Sequence, residues 1–230
     1  MDVTFVLVHS PSVGPSTWAP IARRLDAPVV VPSLLGVADA GPPFWRPVTQ
    51  AVHDALLPVR PEHPVVIVAH SNVGLFVPAI VDASPRRVAG CLFVDAALPS
   101  VSGPTPASPP DLLAFLRPKV QPGGRLPQWT DWWDEADVAP MFPDARTRAE
   151  VSAEQPRLPL AYYEESIPVP AGWDARPCGY LLFGPPYEPM AKDAAGRGWA
   201  VAHTPGEHLH QLVDTDAVAA TITAMTADWR

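Results

Sequence analysis

Short apolar runs rich in β-branched residues alternate with segments whose apolar positions recur every three or four residues. The run TFVLVH (4–9) has no polar alternation, so it predicts a strand buried on both faces. PVVVP (28–32) predicts a second strand. Between them, PSTWAPIARRL places Trp18, Ile21, Ala22 and Leu25 at helical spacing, with Ser16 as its expected cap. Residues 47–59 repeat the helical period through Val48, Val52, Ala55 and Leu56. A strand VVIVA (65–69), a helix over 73–83 and a strand GCLFVD (90–95) follow. This βαβαβ order with continuous apolar strands predicts an α/β protein: a mostly parallel sheet with helices on both faces.

The alternation stops near Pro99. Residues 99–176 offer Pro-rich connections, short helical pieces and the aromatic cluster WTDWWDE (129–135), with no central strand. It resumes with CGYLLFG (178–184), a helix near 189–198, a short strand around 199–204 and a last helix over 214–229, capped by Asp214 or Thr215. The expected organisation is one core domain, residues 1–98 and 177–230, interrupted by an inserted helical cap or lid, 99–176.

Composition narrows this picture. The chain has 230 residues, 47% hydrophobic and 17% charged, enough for one large domain with a substantial core. Net charge is −8 and no Lys/Arg block stands out, which argues against nucleic acid and anionic membrane as partners. The 32 prolines exceed the usual share of about 5% and are dispersed, so they read as stiffened connections. Cys91 and Cys178 sit in apolar runs without ligand spacing, as buried free thiols of a reducing compartment would. The amino-terminal stretch lacks a basic region and a long apolar segment, and no apolar run approaches the ~20 residues of a membrane span. A cytoplasmic protein is expected.

The candidate chemistry centres on Ser71. A buried strand leads into it and a helix follows, the context that lifts a nucleophilic serine above the carboxyl end of a sheet. The strong signature is G-x-S-x-G; here the stretch is Ala69-His70-Ser71-Asn72-Val73, with Gly74 one residue late. The alternative is a Ser-Asn pair that only caps the next helix. Near the other end, HTPGEHLHQLVD (203–214) sets His208 on a loop before the final helix, where a catalytic base belongs. His203 and His210 are close, but no acidic or cysteine set accompanies them, so no metal site is expected. Two carboxylates compete to orient His208: Asp95, ending a strand, and Glu188, in FGPPYEP after the next one. The usual acid position favours Glu188, whereas a carboxylate at the end of an apolar strand is costly unless paired, and on that ground Asp95 is preferred with Glu188 as its alternative.

For the oxyanion, the Asn72 N–H supplies one donor. The other is expected from the loop after the first strand, where Pro11 has no N–H and the Ser10 hydroxyl is the substitute. Trp129, Trp132 and Trp133 fall at i, i+3 and i+4, on one face of a helical turn. They read as lid packing or, for Trp132 and Trp133, as an apolar wall for substrate.

In ordered combination FVLVHSPSVGPSTW, VVIVAHSNVG, CLFVDA and PGEHLH resemble the α/β-hydrolase superfamily, and within it the small esterase and hydroxynitrile-lyase-like branch. The resemblance covers residues 4–98 and 178–229. It implies the α/β-hydrolase fold, Ser71 as nucleophile or proton relay, His208 as base, Asp95 or Glu188 as acid, and Ser10 as a hydroxyl touching substrate. It also implies a small-molecule substrate and no metal or organic cofactor. Val73 at a usual glycine and Pro11 at a usual donor depart from the pattern. Two functions are therefore carried forward: hydrolysis of a small apolar ester, lactone or thioester, and a non-hydrolytic lyase, cyclase or isomerase tailoring a natural product. A non-catalytic ligand-binding homologue is the third.

Overall fold

A computed structural model describes residues 3–229. Residues 1, 2 and 230, the outermost positions of the expected core domain, lie outside the described residues. The chain begins with β1 (Thr4–Val8), a 3-10 turn (Pro15–Trp18), α1 (Ala19–Ala22) and β2 (Val29–Val30). Then come α2 (Trp45–Leu56), β3 (Val65–His70), a 3-10 turn (Ser71–Phe76), α3 (Val77–Ala83) and β4 (Val88–Val94).

The inserted region follows. It holds β5 (Thr105–Pro106), α4 (Pro110–Leu116), α5 (Glu135–Val138), α6 (Ala145–Glu154), α7 (Leu160–Glu164) and β6 (Ser166–Ile167). The chain ends with β7 (Cys178–Leu182), α8 (Glu188–Gly196), β8 (Ala200–His203), α9 (His210–Val213) and α10 (Thr215–Met225).

Six strands form one sheet in the order β2-β1-β3-β4-β7-β8, and every neighbouring pair is parallel. The central apolar runs lack alternation because β1, β3, β4 and β7 each feed two cores. In β3, Val65, Ile67 and Ala69 pack with α2 and α3 through Val48, Val52, Val77 and Ile80. Val66 and Val68 face the other way, toward Trp18 and Ile21 near α1 and Val218 and Ile222 of α10. The inserted region joins the first core through Leu116, Trp132, Val151 and Tyr162, and β5 and β6 form a separate antiparallel pair within it. No helix among the described residues is long and apolar enough to cross a membrane.

Two helix predictions need correction at their starts. The segment expected as a helix from Pro15 is a 3-10 turn followed by the short α1, because Pro20 cannot donate to Ser16. Ser16 does not cap it. The turn starts after Gly14, and the Ser16 N–H and hydroxyl both donate to Glu154 Oε1 of the inserted region, the N–H at 2.8 Å. Likewise α3 begins only at Val77, with Pro78 withholding its donor from Gly74. Asp214 does cap α10, accepting from Ala217 N at 3.1 Å.

Candidate active site

The strand-to-helix junction after β3 forces Ser71 into left-handed backbone, φ 66°. Such a conformation in a non-glycine residue costs of order 1–3 kcal/mol and persists only where surroundings hold it. Here the Ala97 N–H donates to the Ser71 carbonyl at 3.1 Å. The next turn presses against the same loop: a Cβ on Gly74 would come within 2.2 Å of the Ala97 carbonyl oxygen. The close-approach glycine is therefore Gly74, three residues after the serine. Val73, at the usual glycine position, has helical backbone and a fully buried side chain in the core.

The other non-glycine residue described with positive φ is Asp95, at 43° just past β4. Its N–H donates to Leu181 O at 2.7 Å, and the Tyr180 hydroxyl bonds both the Ala96 N–H and the Ala96 carbonyl, at 3.0 and 2.9 Å. The neighbouring strand β7 thus pins the Asp95 turn. Burial and the nearby Asp95 charge push the Tyr180 phenol far above its ordinary range, so it stays a donor. The Asp95 carboxylate is 1% exposed and fully engaged. Oδ1 accepts from Phe183 N at 2.9 Å and Gly184 N at 3.4 Å.

His208 reaches the same point from the loop between β8 and α9. That loop is tied to the end of β7 by Thr204 N to Leu182 O and Gly206 N to Phe183 O, each 3.0 Å. Glycine is required on both sides of this contact: a Cβ on Gly184 would meet Gly206 O at 2.6 Å, and one on Gly206 would meet the His210 ring at 2.1 Å. The outcome is a continuous chain. His208 Nδ1 lies 2.6 Å from Asp95 Oδ2, and Nε2 lies 2.9 Å from Ser71 Oγ. Since Nδ1 faces a carboxylate, it carries the proton, and Nε2 is left to accept from Ser71.

Glu188 is not part of this chain. The Pro185-Pro186-Tyr187 turn places it, exposed, at the first position of α8 and directs Tyr187 toward His208 instead. The Tyr187 ring stacks on the imidazole at 4.8 Å and 6°. His70 stacks on it at 4.6 Å, and its Nε2 bonds the His208 carbonyl at 2.8 Å. Burial foremost, then the positive charge His208 would carry, holds His70 well below its ordinary pKa, so it packs as a neutral ring. His9 is also kept neutral, at about 4, by burial; its Nδ1–H donates to Ser10 O and Nε2 accepts from Leu34 N, at 2.8 and 3.0 Å. His203 and His210 pack around Phe183, away from Ser71.

The oxyanion side is built from the first-strand loop and the elbow. The Asn72 N–H sits in the first turn after β3, where helical N–H groups have no partner within the turn. Pro11 is buried in the turn closed by Val13 N on Ser10 O at 3.1 Å, and it brings no donor. The Ser10 hydroxyl is 3.3 Å from both the Ser12 N–H and the Ser12 hydroxyl. Ser12, which the sequence did not single out, bonds the Tyr163 hydroxyl of the inserted region at 2.6 Å. The Asn72 side chain also grips that region, donating to Ala107 O at 2.9 Å and accepting from the Tyr162 hydroxyl at 2.6 Å.

The tryptophan cluster splits. Trp129 approaches His208 to 5.9 Å, and Trp132 packs edge-on against Tyr163. The helical turn ends at Trp132, so Trp133 turns outward, 36% exposed, and stacks on Phe115. Of the three tryptophans, Trp129 rather than Trp133 lies beside the imidazole. A groove of about 780 Å³ lined by Trp173, Trp199 and Arg197 contains none of Ser71, Asp95 or His208. Among the described residues no group of three or more His, Cys, Asp or Glu could hold a metal ion.

Comparison with known proteins agrees with this architecture. The model of the alpha/beta hydrolase family matches residues 5–221. No curated protein matches the chain. Among solved structures, tomato methylketone synthase I, in a variant complexed with beta-ketoheptanoate, is similar with a TM-score of 0.80 at 12% identity, covering 100% of this chain and 99% of its own. An extracellular alpha/beta-hydrolase from a Paenibacillus species, described as sharing structural and functional homology with tobacco salicylic acid binding protein 2, has a TM-score of 0.74 at 17% identity, covering 97% and 98%. A pyrethroid hydrolase from Sphingobium faniae has a TM-score of 0.73 at 16% identity, covering 98% of each chain.

Proposed function

The chain belongs to the α/β-hydrolase family, and we propose that within it this protein is a serine-dependent hydrolase of small, largely apolar esters, lactones or thioesters. The observation that carries this reading is the unbroken chain from Ser71 Oγ through His208 to Asp95, at 2.9 and 2.6 Å. In the proposed reaction Ser71 Oγ attacks the carbonyl carbon and its proton passes to His208 Nε2. Asp95 holds the imidazole in the accepting tautomer and stabilises the imidazolium. The carbonyl electron pair moves onto oxygen, facing the Asn72 N–H and the Ser10 hydroxyl. His208 protonates the leaving group, and water then repeats the sequence on the acyl-serine.

An apolar substrate is supported by the surroundings of His208: Trp129, Tyr187 and, beyond them, Trp132 and Tyr163. The inserted region acts as the lid, since Asn72 and Ser12 both bond to it. Two free buried cysteines fit a reducing, cytoplasmic setting. The test is steady-state hydrolysis of p-nitrophenyl acetate and butyrate by the wild type and Ser71→Ala. Loss of turnover in the variant supports the reading, and unchanged turnover overturns it.

A second reading has one observation in its favour. Pro11 withholds a donor, and one missing oxyanion donor typically costs about 10²–10³ in rate. A proton-transfer reaction of the lyase or isomerase type has less need of that donor. Turnover that survives Ser71→Ala but not His208→Ala would favour it.

A further inference from the structure

Three hydroxyls run in sequence from the oxyanion side of the site into the inserted region: Ser10, Ser12 and Tyr163. All three residues are buried, so bulk water cannot stand in for a missing partner. Ser10 Oγ accepts from the Ser12 N–H and donates to Ser12 Oγ, each at 3.3 Å. Ser12 Oγ lies 2.6 Å from the Tyr163 hydroxyl, and either can be the donor. Both ends of the row are held through their backbones. The Ser10 carbonyl accepts from the Val13 N–H and from His9 Nδ1–H, at 3.1 and 2.8 Å. The Tyr163 carbonyl accepts from Ser108 Oγ at 2.8 Å, and its ring meets Tyr162 and Trp132 edge-to-face.

A serine hydroxyl has one proton to give. In the free protein Ser10 gives it to Ser12, whereas an oxyanion needs it turned toward substrate. Turning it takes a donor away from Ser12 Oγ, and a buried oxygen left unsatisfied is costly. Tyr163 is placed to remove that cost, because its hydroxyl reaches the same oxygen from the other side.

We infer that Ser12 and Tyr163 are positioning residues that free the Ser10 hydroxyl for the oxyanion. The inference rests on the hydrolase reading above and on the place of Ser10 in it. As the oxyanion forms, the Tyr163 O–H donates to Ser12 Oγ and the Ser12 O–H turns to Ser10 Oγ. The two lone pairs of Ser10 Oγ are then filled by the Ser12 N–H and O–H, so its own proton is left to point at substrate. Three hydroxyls rotate; no covalent bond breaks and no proton changes oxygen. Each donor polarises the next, so the row presents a stronger donor than a lone hydroxyl, where Pro11 offers none. Burial foremost pushes the Tyr163 phenol far above its ordinary range, so it keeps its proton throughout the neutral region. Tyr163 lies in α7, so this oxyanion donor also depends on the inserted region being in place.

The experiment is a double-mutant cycle read as kcat and KM for p-nitrophenyl butyrate. The proteins are the wild type, Tyr163→Phe, Ser12→Ala, Ser10→Ala, and Ser10→Ala combined with each of the other two, with melting curves to confirm folding. Tyr163→Phe and Ser12→Ala should each lower kcat about 3–10-fold with KM unchanged. Ser10→Ala should cost about 10²–10³-fold, and adding either second substitution should then cost nothing more, since no hydroxyl is left to orient. A Tyr163 that only packs the inserted region would cost the same factor with or without Ser10, and that result overturns the inference. Should Tyr163→Phe fail to fold, Ser12→Ala carries the same comparison with the lid ring in place. Wild-type kcat in Ser12→Ala or in Ser10→Ala also overturns the inference while turnover keeps the hydrolase reading intact. A wild type that releases no p-nitrophenolate overturns the hydrolase reading, and the roles of Ser12 and Tyr163 with it.

Discussion

Replacing Asp95 by Asn removes one charge and tests the orientation of His208 through a mechanism that can be worked out atom by atom. Asn is among the few residues that accept left-handed backbone, so φ 43° is retained and the variant folds. The amide must then choose its orientation. Oδ1 of Asp95 faces two N–H donors, Phe183 at 2.9 Å and Gly184 at 3.4 Å. Turning the amide NH₂ toward them sets donor against donor in a site that is 1% exposed, at about 1–3 kcal/mol for each unpaired group. The amide oxygen therefore takes that side and the NH₂ points at His208 Nδ1. Nδ1 must become the acceptor, the proton moves to Nε2, and the imidazole can no longer accept from Ser71. A wrong tautomer in an intact triad geometry costs about 10⁴ in kcat, or roughly 5 kcal/mol of transition-state stabilisation. The assay is kcat/KM for p-nitrophenyl butyrate in the wild type, Asp95→Asn and Glu188→Gln. Glu188→Gln should match the wild type. Retention of more than about a tenth of activity by Asp95→Asn, or an equal loss in Glu188→Gln, would refute the reasoning.

Further outcomes follow from the packing. Gly74→Ala drives a methyl into the Ala97 carbonyl and should cost about 1–3 kcal/mol, read as a Tm loss of roughly 2–12 °C, with activity falling as the elbow shifts. Tyr162→Phe leaves the part-buried Asn72 Oδ1 without its 2.6 Å partner; about 0.5–1.5 kcal/mol of stability should be lost, with faster hydrogen exchange near Ala107 and across α7. The pH dependence has a definite sign. His9 titrates at about 4 in the folded chain against 6.5 unfolded, so its contribution is complete above pH 6.5 and is lost as pH falls toward 4, about 3 kcal/mol by that point. His70 is lowered in the same direction. Urea unfolding at pH 7.5 and 4.5 checks this, and His9→Gln should show a shallower decline.

The strands were legible because burial on both faces leaves no alternation to misread: VVIVA marks β3 to within one residue of Val65–His70. The helix starts were less legible, since Pro20 and Pro78 act on hydrogen bonds that depend on where the preceding turn begins. Ser71 and His208 could be proposed from local context alone. The cost of an unpaired carboxylate at a strand end favoured Asp95 over Glu188, but its partners were hidden, because they depend on β4 lying beside β7, which brings the Phe183 and Gly184 N–H groups to the end of β4. The roles of Ser12 and Asn72 were hidden for the same reason: their partners Tyr163 and Tyr162 are 151 and 90 residues away.

If Ser71 is an activated nucleophile, covalent labelling reveals it without knowledge of the substrate. Intact-protein and peptide mass spectrometry after treatment with a fluorophosphonate should find one adduct per chain, on the Ser71 peptide, absent in Ser71→Ala and strongly slowed in His208→Ala. A wild-type protein that stays unlabelled at Ser71 would contradict the account.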